Sequence, residues 1–428
     1  MDDTLETVTT DVACTVCGCV CDDLTMSVRG DRIVRAERAC GLAEPWFLNQ
    51  HQHHPPVASI AGRETPYAEA IERAVEILRN SRAPLVYGLS RSSTEGQRAS
   101  VALAEQLGAT IDTTASLCHS PSILALQTVG ESTCSLGEIR NRADLVIFWG
   151  SDPLVTHPRH MERYSVDPAG RFVPNGRADR FVVVIDTHRT ASAERADLFL
   201  QVETDSDFDV LWALRGLVAG RPTAPAASCG ADPEVLAALA DRMKGCRCGV
   251  VFFGLGLSQR GIGHLNVTAL LMLVRDLHRF TRFHARRMRV QGDVTGADSV
   301  LCWQTGFPFS VNFAKGYPRY GPGEYSAEDV LRRRETDAVL LVGTETVGQF
   351  SPAARAHLAS VPTICLDHPS VPSGIEPTVR FTTSVNGIHR EGTAYRMDEV
   401  PIPLRAFVTS DYPDDAEVLE EIRKRLSS

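Results

Sequence analysis

Short, almost unbroken apolar runs separated by amphipathic stretches limit what this 428-residue chain can fold into. Ala83-Pro-Leu-Val-Tyr87, Thr110-Ile-Asp-Thr113, Asp144-Leu-Val-Ile-Phe-Trp149, Phe181 to Asp186, Gly249 to Gly254 and Asp337 to Gly343 each read as a strand covered on both faces. Tyr67 to Asn80 has the apolar period of a helix, as does Thr94 to Leu107 behind the capping Ser93, and a long helix follows Gly254 through Arg279. Strand and helix in alternation build a parallel sheet with helices on both faces. At least six strands suffice for two such units. The alternation makes the expected fold α/β with two doubly wound parallel-sheet domains; the expected arrangement has one inserted in the other and no C-terminal barrel. The expected boundaries are 57–140 with 311–400 for a discontinuous domain, 141–310 for the inserted one and 401–428 for a tail. A Pro- and Ala-rich piece from Gly220 to Ser228 reads as a surface connection.

Residues 1–56 differ in kind. Cys14, Cys17 and Cys21 stand at C-x2-C-x3-C spacing, and Cys40 follows in Arg-Ala-Cys-Gly-Leu. Three thiolates on one loop and a fourth returning from a distance fit a four-iron, four-sulfur (4Fe-4S) cluster. Zinc competes for four thiolates, but its sites usually take two close pairs, and a run of buried free cysteines is the plainer alternative. The spacing favours a small N-terminal iron-sulfur module, with Cys19 a spectator. Leu24-Thr-Met-Ser-Val28 and Arg32-Ile-Val-Arg-Ala36 read as a hairpin behind it. His51-Gln-His-His-Pro-Pro56 reads as a solvent loop that closes the module.

A formal net charge of −9 argues against a nucleic-acid surface. No apolar run approaches the roughly 18 residues of a membrane span, and the acidic start lacks the pattern of a secretory signal. Cytoplasmic location is the expectation, and twelve cysteines then point to metal or thiol chemistry rather than disulfides. Cys134, Cys229, Cys246, Cys248, Cys302 and Cys365 carry no motif and read mostly as small core fillers.

Ligands in open parallel sheets bind beyond the carboxyl ends of strands. Three post-strand loops are distinctive there: Trp149-Gly-Ser-Asp-Pro153, leading to His157-Pro-Arg-His160; Asp186-Thr-His-Arg-Thr190; and Gly254-Leu-Gly256. Each could grip a phosphate or purine, or merely cap the next helix. Cys118-His119 lies just past the strand ending at Thr113, where a thiolate beside an imidazole suits a nucleophile, a metal ligand or a structural cysteine.

Together these phrases resemble the B subunit of formylmethanofuran dehydrogenase, within the molybdopterin and tungstopterin oxidoreductases. The resemblance spans nearly the whole chain. Its markers include Cys21-Asp-Asp23, Leu117-Cys-His-Ser-Pro-Ser122, Asn141-Arg-Ala-Asp144, Trp303-Gln-Thr-Gly306, Gly316-Tyr-Pro-Arg-Tyr320 and Gly392-Thr-Ala-Tyr-Arg-Met-Asp398. It implies a tungsten or molybdenum ion held by two molybdopterin guanine dinucleotides, with Cys118 as the protein thiolate and His119 and Arg289 as the polar pair beside it. Gly150, Asp186, Arg189, Asp205, Gly254, Gly256 and Thr393 fall in the implied dinucleotide contacts. The implied reaction interconverts carbon dioxide and formate in one-carbon metabolism, and an amidohydrolase-type partner subunit joins formate to the amine of methanofuran.

The sequence departs from the family in the grips, which here read Gly150-Ser-Asp-Pro153, Val202-Glu-Thr-Asp205 and Thr344-Glu-Thr346, with Val290-Gln-Gly-Asp293 after the arginine. Carboxylates near a diphosphate are electrostatically wrong. A second reading follows: the similar B subunit of the bacterial formyltransferase/hydrolase complex, a structural partner without redox chemistry. The retained cysteines and His119 tip the expectation to the dehydrogenase.

Overall fold

The computed structural model describes residues 6–221, 230–371 and 374–427; most of the Gly220 to Ser228 connection, and Cys229, lie outside them. The chain forms two compact units, residues 1–117 with 291–428, and residues 118–290.

The second unit is built on five parallel strands in the order Leu198–Gln201, Phe181–Asp186, Leu145–Trp149, Cys248–Phe253, Arg282–Arg287. Its central strands are buried along their whole length, as apolar runs covered by helices on both faces must be. Val183, Ile185, Val251 and Phe253 share one core with Leu270 and Val274 of the helix Gly263–Leu277, and that helix packs on Ser120–Val129 and Asp207–Val218.

The first unit carries a nine-stranded mixed sheet. Its five middle strands, Thr110–Thr113, Pro84–Gly88, Ala338–Val342, Thr363–Asp367 and Val379–Thr382, run parallel. Antiparallel strands flank them: Val311–Asn312 beside Thr110–Thr113, and Ala58–Ile60 beside Val379–Thr382. The helices Tyr67–Asn80 and Thr94–Leu107 lie where their apolar period places them, and the last helix, Asp415–Leu426, packs on both. Ser93 accepts a hydrogen bond from the Gly96 amide and so caps the second of these helices.

The N-terminal stretch is a three-stranded antiparallel sheet, Glu6–Val12, Leu24–Arg29 and Arg32–Glu37, with the cysteine loop between its first two strands. No closed barrel is present among the described residues. No three or more His, Cys, Asp or Glu side chains among them are grouped so as to hold a metal ion. That finding corrects the expected fold in one respect: the N-terminal module is a small β-sheet with buried thiols, not an iron-sulfur module.

Candidate functional site

Strand order reverses in the second unit between Leu145–Trp149 and Cys248–Phe253, the place where doubly wound folds receive ligands. The two loops leaving these strands are pressed together. Gly254 N donates to Trp149 O at 3.1 Å and Gly256 N to Gly150 O at 3.0 Å. A Cβ on Gly254 would stand 2.5 Å from Gly150 O, and one on Gly256 would stand 2.8 Å from Gly150 Cα. The three glycines therefore let one loop close on the other, a tighter use than the ligand approach their positions imply.

Asp152 completes the closure. Its carboxylate accepts from Ala191 N at 3.1 Å, from Ser192 N at 3.0 Å and from Ser192 Oγ. Those amides lie just past Thr190, in the loop that follows Asp186, and are the type of donor a diphosphate would take. Around them Asp186 accepts from its neighbour Thr187 N at 2.7 Å, and Arg189 is paired with Glu194 at 2.6 Å. Arg159 is paired with Glu162 at 3.0 Å. Glu203 packs against Gly230, and Asp205 adopts a positive φ of 65°. Trp149 Nε1 donates to the buried Asp207 at 2.7 Å, and burial raises the pKa of that carboxyl.

Cys118, His119 and Arg289 are all buried in this unit. Gln259 Nε2 donates to Cys118 O at 2.5 Å. His119 Nε2 lies 3.3 Å from Met288 O and its Nδ1 lies 3.3 Å from Ser122 Oγ. His157 reaches the next carbonyl, with Nε2 2.6 Å from Arg289 O and Nδ1 2.8 Å from Thr156 Oγ1. Burial, then the Arg289 and Arg287 charges, hold the His119 pKa well below the ordinary imidazole value, and burial lowers that of His157 to about 4. Both rings are therefore neutral near pH 7, with Nε2–H the donor, and they brace two successive carbonyls of the segment that carries Arg289.

In the first unit the strand order reverses between Pro84–Gly88 and Ala338–Val342. Here Glu345 occupies the space beyond the strand ends, its side chain 9% exposed. It accepts from Ser90 Oγ at 2.5 Å, and Arg91 Nε stands 3.9 Å away. Asp367, with its pKa raised by burial to about 6, takes Thr344 N at 3.1 Å and Thr344 Oγ1 at 2.8 Å. Thr393 O accepts from Thr94 Oγ1 at 3.2 Å.

Cys14, Cys17 and Cys21 are buried, and Cys40 is half-buried. Burial, then the neighbouring Cys17, Cys21 and Cys40, push the Cys14 thiol well above the usual range. The Cys17 pKa is instead lowered, chiefly by a side-chain hydrogen bond with Cys19, the residue read as a spectator. With no metal-holding group among the described residues, Cys14, Cys17, Cys21 and Cys40 do not form the expected 4Fe-4S ligand set. Cys118 likewise falls in no group of three or more His, Cys, Asp or Glu among the described residues that could hold a metal ion, so the expected molybdopterin guanine dinucleotide with tungsten or molybdenum is overturned as well. The donor chemistry agrees, because the Asp152 carboxylate already holds the Ala191 and Ser192 amides, donors of the type a diphosphate takes. Of the cysteines without a motif, Cys248 and Cys365 are buried, Cys134 and Cys246 half-buried and Cys302 exposed. Sequence reasoning missed the Asp152, His157 and Gln259 contacts; each joins residues at least 39 positions apart.

The architecture is that of an α/β protein with a doubly wound parallel core in each unit. No protein-family model matches the chain. It is 37% identical over 426 residues to the B subunit of the tungsten-containing formylmethanofuran dehydrogenase 2 of Methanocaldococcus jannaschii, covering 97% of this chain and 98% of that protein. The protein of the same description from Methanococcus maripaludis is 35% identical over 424 residues, with the same coverage. The chain belongs to the family of formylmethanofuran dehydrogenase B subunits. Its fold also matches a chain of the formyltransferase/hydrolase complex of Methylorubrum extorquens, solved with methylofuran, with a TM-score of 0.69 at 24% identity over 86% of this chain and 98% of that one.

Proposed function

We propose that this chain serves as a non-redox structural component of a formyl-transferring complex in one-carbon metabolism, in which a partner of amidohydrolase type releases formate from a formyl-carrier. Family membership supports the setting. The observation that carries the non-redox reading is Asp152, whose carboxylate takes the Ala191 and Ser192 amides at the strand-order reversal. Glu345 gives independent support by filling the corresponding place in the first unit. An acidic chain in which no described helix is long and apolar enough to cross a membrane fits an assembly with other protein subunits rather than with nucleic acid or lipid.

Within that role His119 and His157 are structural. Each holds a backbone carbonyl and is kept neutral by burial, so neither serves as a proton donor near pH 7. Cys118 is a buried thiol in the same framework.

The test uses the complex purified with its partner subunits. Formate release from the formyl-carrier is expected, and Cys118→Ala should leave its rate within about twofold, since the substitution removes little packing. Formate-dependent reduction of a viologen dye that is lost in Cys118→Ala would overturn the proposal.

A further inference from the structure

The end of the second unit's sheet at which its parallel strands begin gathers positive charge that the function proposed above does not use. Arg282 opens its strand in register with Cys248, whose neighbour Arg247 donates through Nε to Asp144 at 3.1 Å. Thr281 Oγ1 donates to Cys246 O at 2.6 Å. These contacts hold the turn 279–282 against the segment 244–247, which leaves the helix Pro233–Gly245. Lys244 Nζ stands 6.0 Å from the centre of the Phe280 ring. Arg242 lies 3.7 Å over the ring of Phe181, and Phe181 N donates to Asp144 O at 2.9 Å, so Arg242 belongs to the same corner.

Much of this charge is unmet within the chain. Arg247 and Lys244 have carboxylate partners, Asp144 at 3.1 Å and Asp241 at 2.8 Å. Arg242, Arg279 and Arg282 are exposed and form no ion pair among the described residues. Asp197, whose carboxyl feels the Arg242 charge, is itself paired with Arg177 at 2.8 Å. A cation in the last turn of a helix offsets the carbonyl end, which accounts for Arg242 and Lys244. Arg279 and Arg282 lie outside the helix Gly263–Leu277 and have no such role. The surplus stands out in a chain of formal net charge −9. Between these two arginines Phe280 is 53% exposed, although its amide is fixed to Leu277 O at 2.9 Å. An exposed aromatic side chain on a fixed backbone, flanked by guanidinium groups, has the composition of the energetic centre of a protein interface.

We propose that this corner is a docking face for an acidic segment of another protein subunit of the same complex, with Phe280 covered by apolar side chains of that segment and Arg279, Arg282 and Lys244 met by its carboxylates. The inference rests on the complex proposed above and is independent of whether the chain is redox-active. A protein segment can confine its negative charge to this corner, where guanidinium and carboxylate pair through charge-assisted hydrogen bonds. A nucleic acid would extend its phosphates over the acidic remainder of the surface.

The test measures binding of the full chain to each of the other subunits of the purified complex, immobilised in turn. One subunit is expected to bind with an affinity that falls as salt rises. Arg279→Glu/Arg282→Glu should weaken that binding about tenfold or more, Phe280→Ser should weaken it as well, and Arg279→Lys/Arg282→Lys should largely retain it. Hydrogen exchange at residues 278–282 should be slower in the assembled complex than in the full chain alone. Unchanged affinity of both the charge-reversed and the Phe280→Ser variants for every subunit, or equal exchange at 278–282 in the chain and the complex, would overturn this proposal alone. Charge reversal that abolishes self-association of the chain, or binding to a DNA duplex, without affecting any subunit would also overturn it. Wild-type chain that binds none of the subunits would overturn the proposed complex together with it.

Discussion

The two units reach the same topological crossing point and close it with the same chemical device, but not equally well. In the second unit Asp152 accepts from two backbone amides and a hydroxyl, so its charge is fully met by donors the fold holds in place. In the first unit Glu345 accepts from one hydroxyl, with Arg91 at 3.9 Å, a distance at which Coulomb attraction persists but a hydrogen bond does not. A carboxylate built into a strand-end loop thus replaces an anionic ligand only to the extent that fixed donors surround it. Asp152 is a structural anion, and Glu345 is a weaker seal.

The largest expected effect follows from removing the better-held carboxylate. Asp152→Ala should destabilise the chain by about 2 to 3 kcal/mol, because two amides and a hydroxyl lose a charged acceptor at once. Urea unfolding measures this, and a loss below about 0.5 kcal/mol would erase the contrast between the units.

The pH dependence should differ in sign between the two crossings. His157 has a folded pKa of about 4 against an unfolded value near 6.5, so the folded form binds fewer protons in that window. Its contribution is complete above the upper value and is lost as pH falls toward 4. Asp367 has a folded pKa of about 6 against an ordinary 3.8, so its contribution is complete below 3.8 and is lost as pH rises through 6. Hydrogen exchange at pH 5 and pH 7 should show residues near His157 gaining protection as pH rises and residues near Asp367 losing it. Parallel changes in both would remove the distinction. The smallest effect is expected for Glu345→Gln, which keeps an oxygen for Ser90 and should alter stability by less than about 1 kcal/mol in the same unfolding experiment.

The central strands and the helices Tyr67–Asn80 and Thr94–Leu107 were legible because apolar runs and helical periods are local signals. The strand Arg282–Arg287 was not. Half of it is arginine, yet Arg286 and Arg287 are buried, donating to Thr133 at 2.6 Å and Glu131 at 3.1 Å from more than 150 residues away. The candidate site shows the same limit. Spacing made Cys14, Cys17, Cys21 and Cys40 look like a ligand set, but spacing is silent on where the side chains point, and Cys17 instead engages Cys19. Asp152 was legible as a misfit beside a diphosphate; that it supplies its own anion depended on a loop 39 to 40 residues onward.

Metal content of the purified complex tests the central claim most directly. If the strand-end sites are closed by this chain's own carboxylates and its cysteines form no metal-binding group, elemental analysis of anaerobically prepared complex should find tungsten and molybdenum far below one atom per copy of this chain, and no four-iron complement attributable to it. One tungsten or molybdenum atom per chain, accompanied by about four irons, would contradict the account.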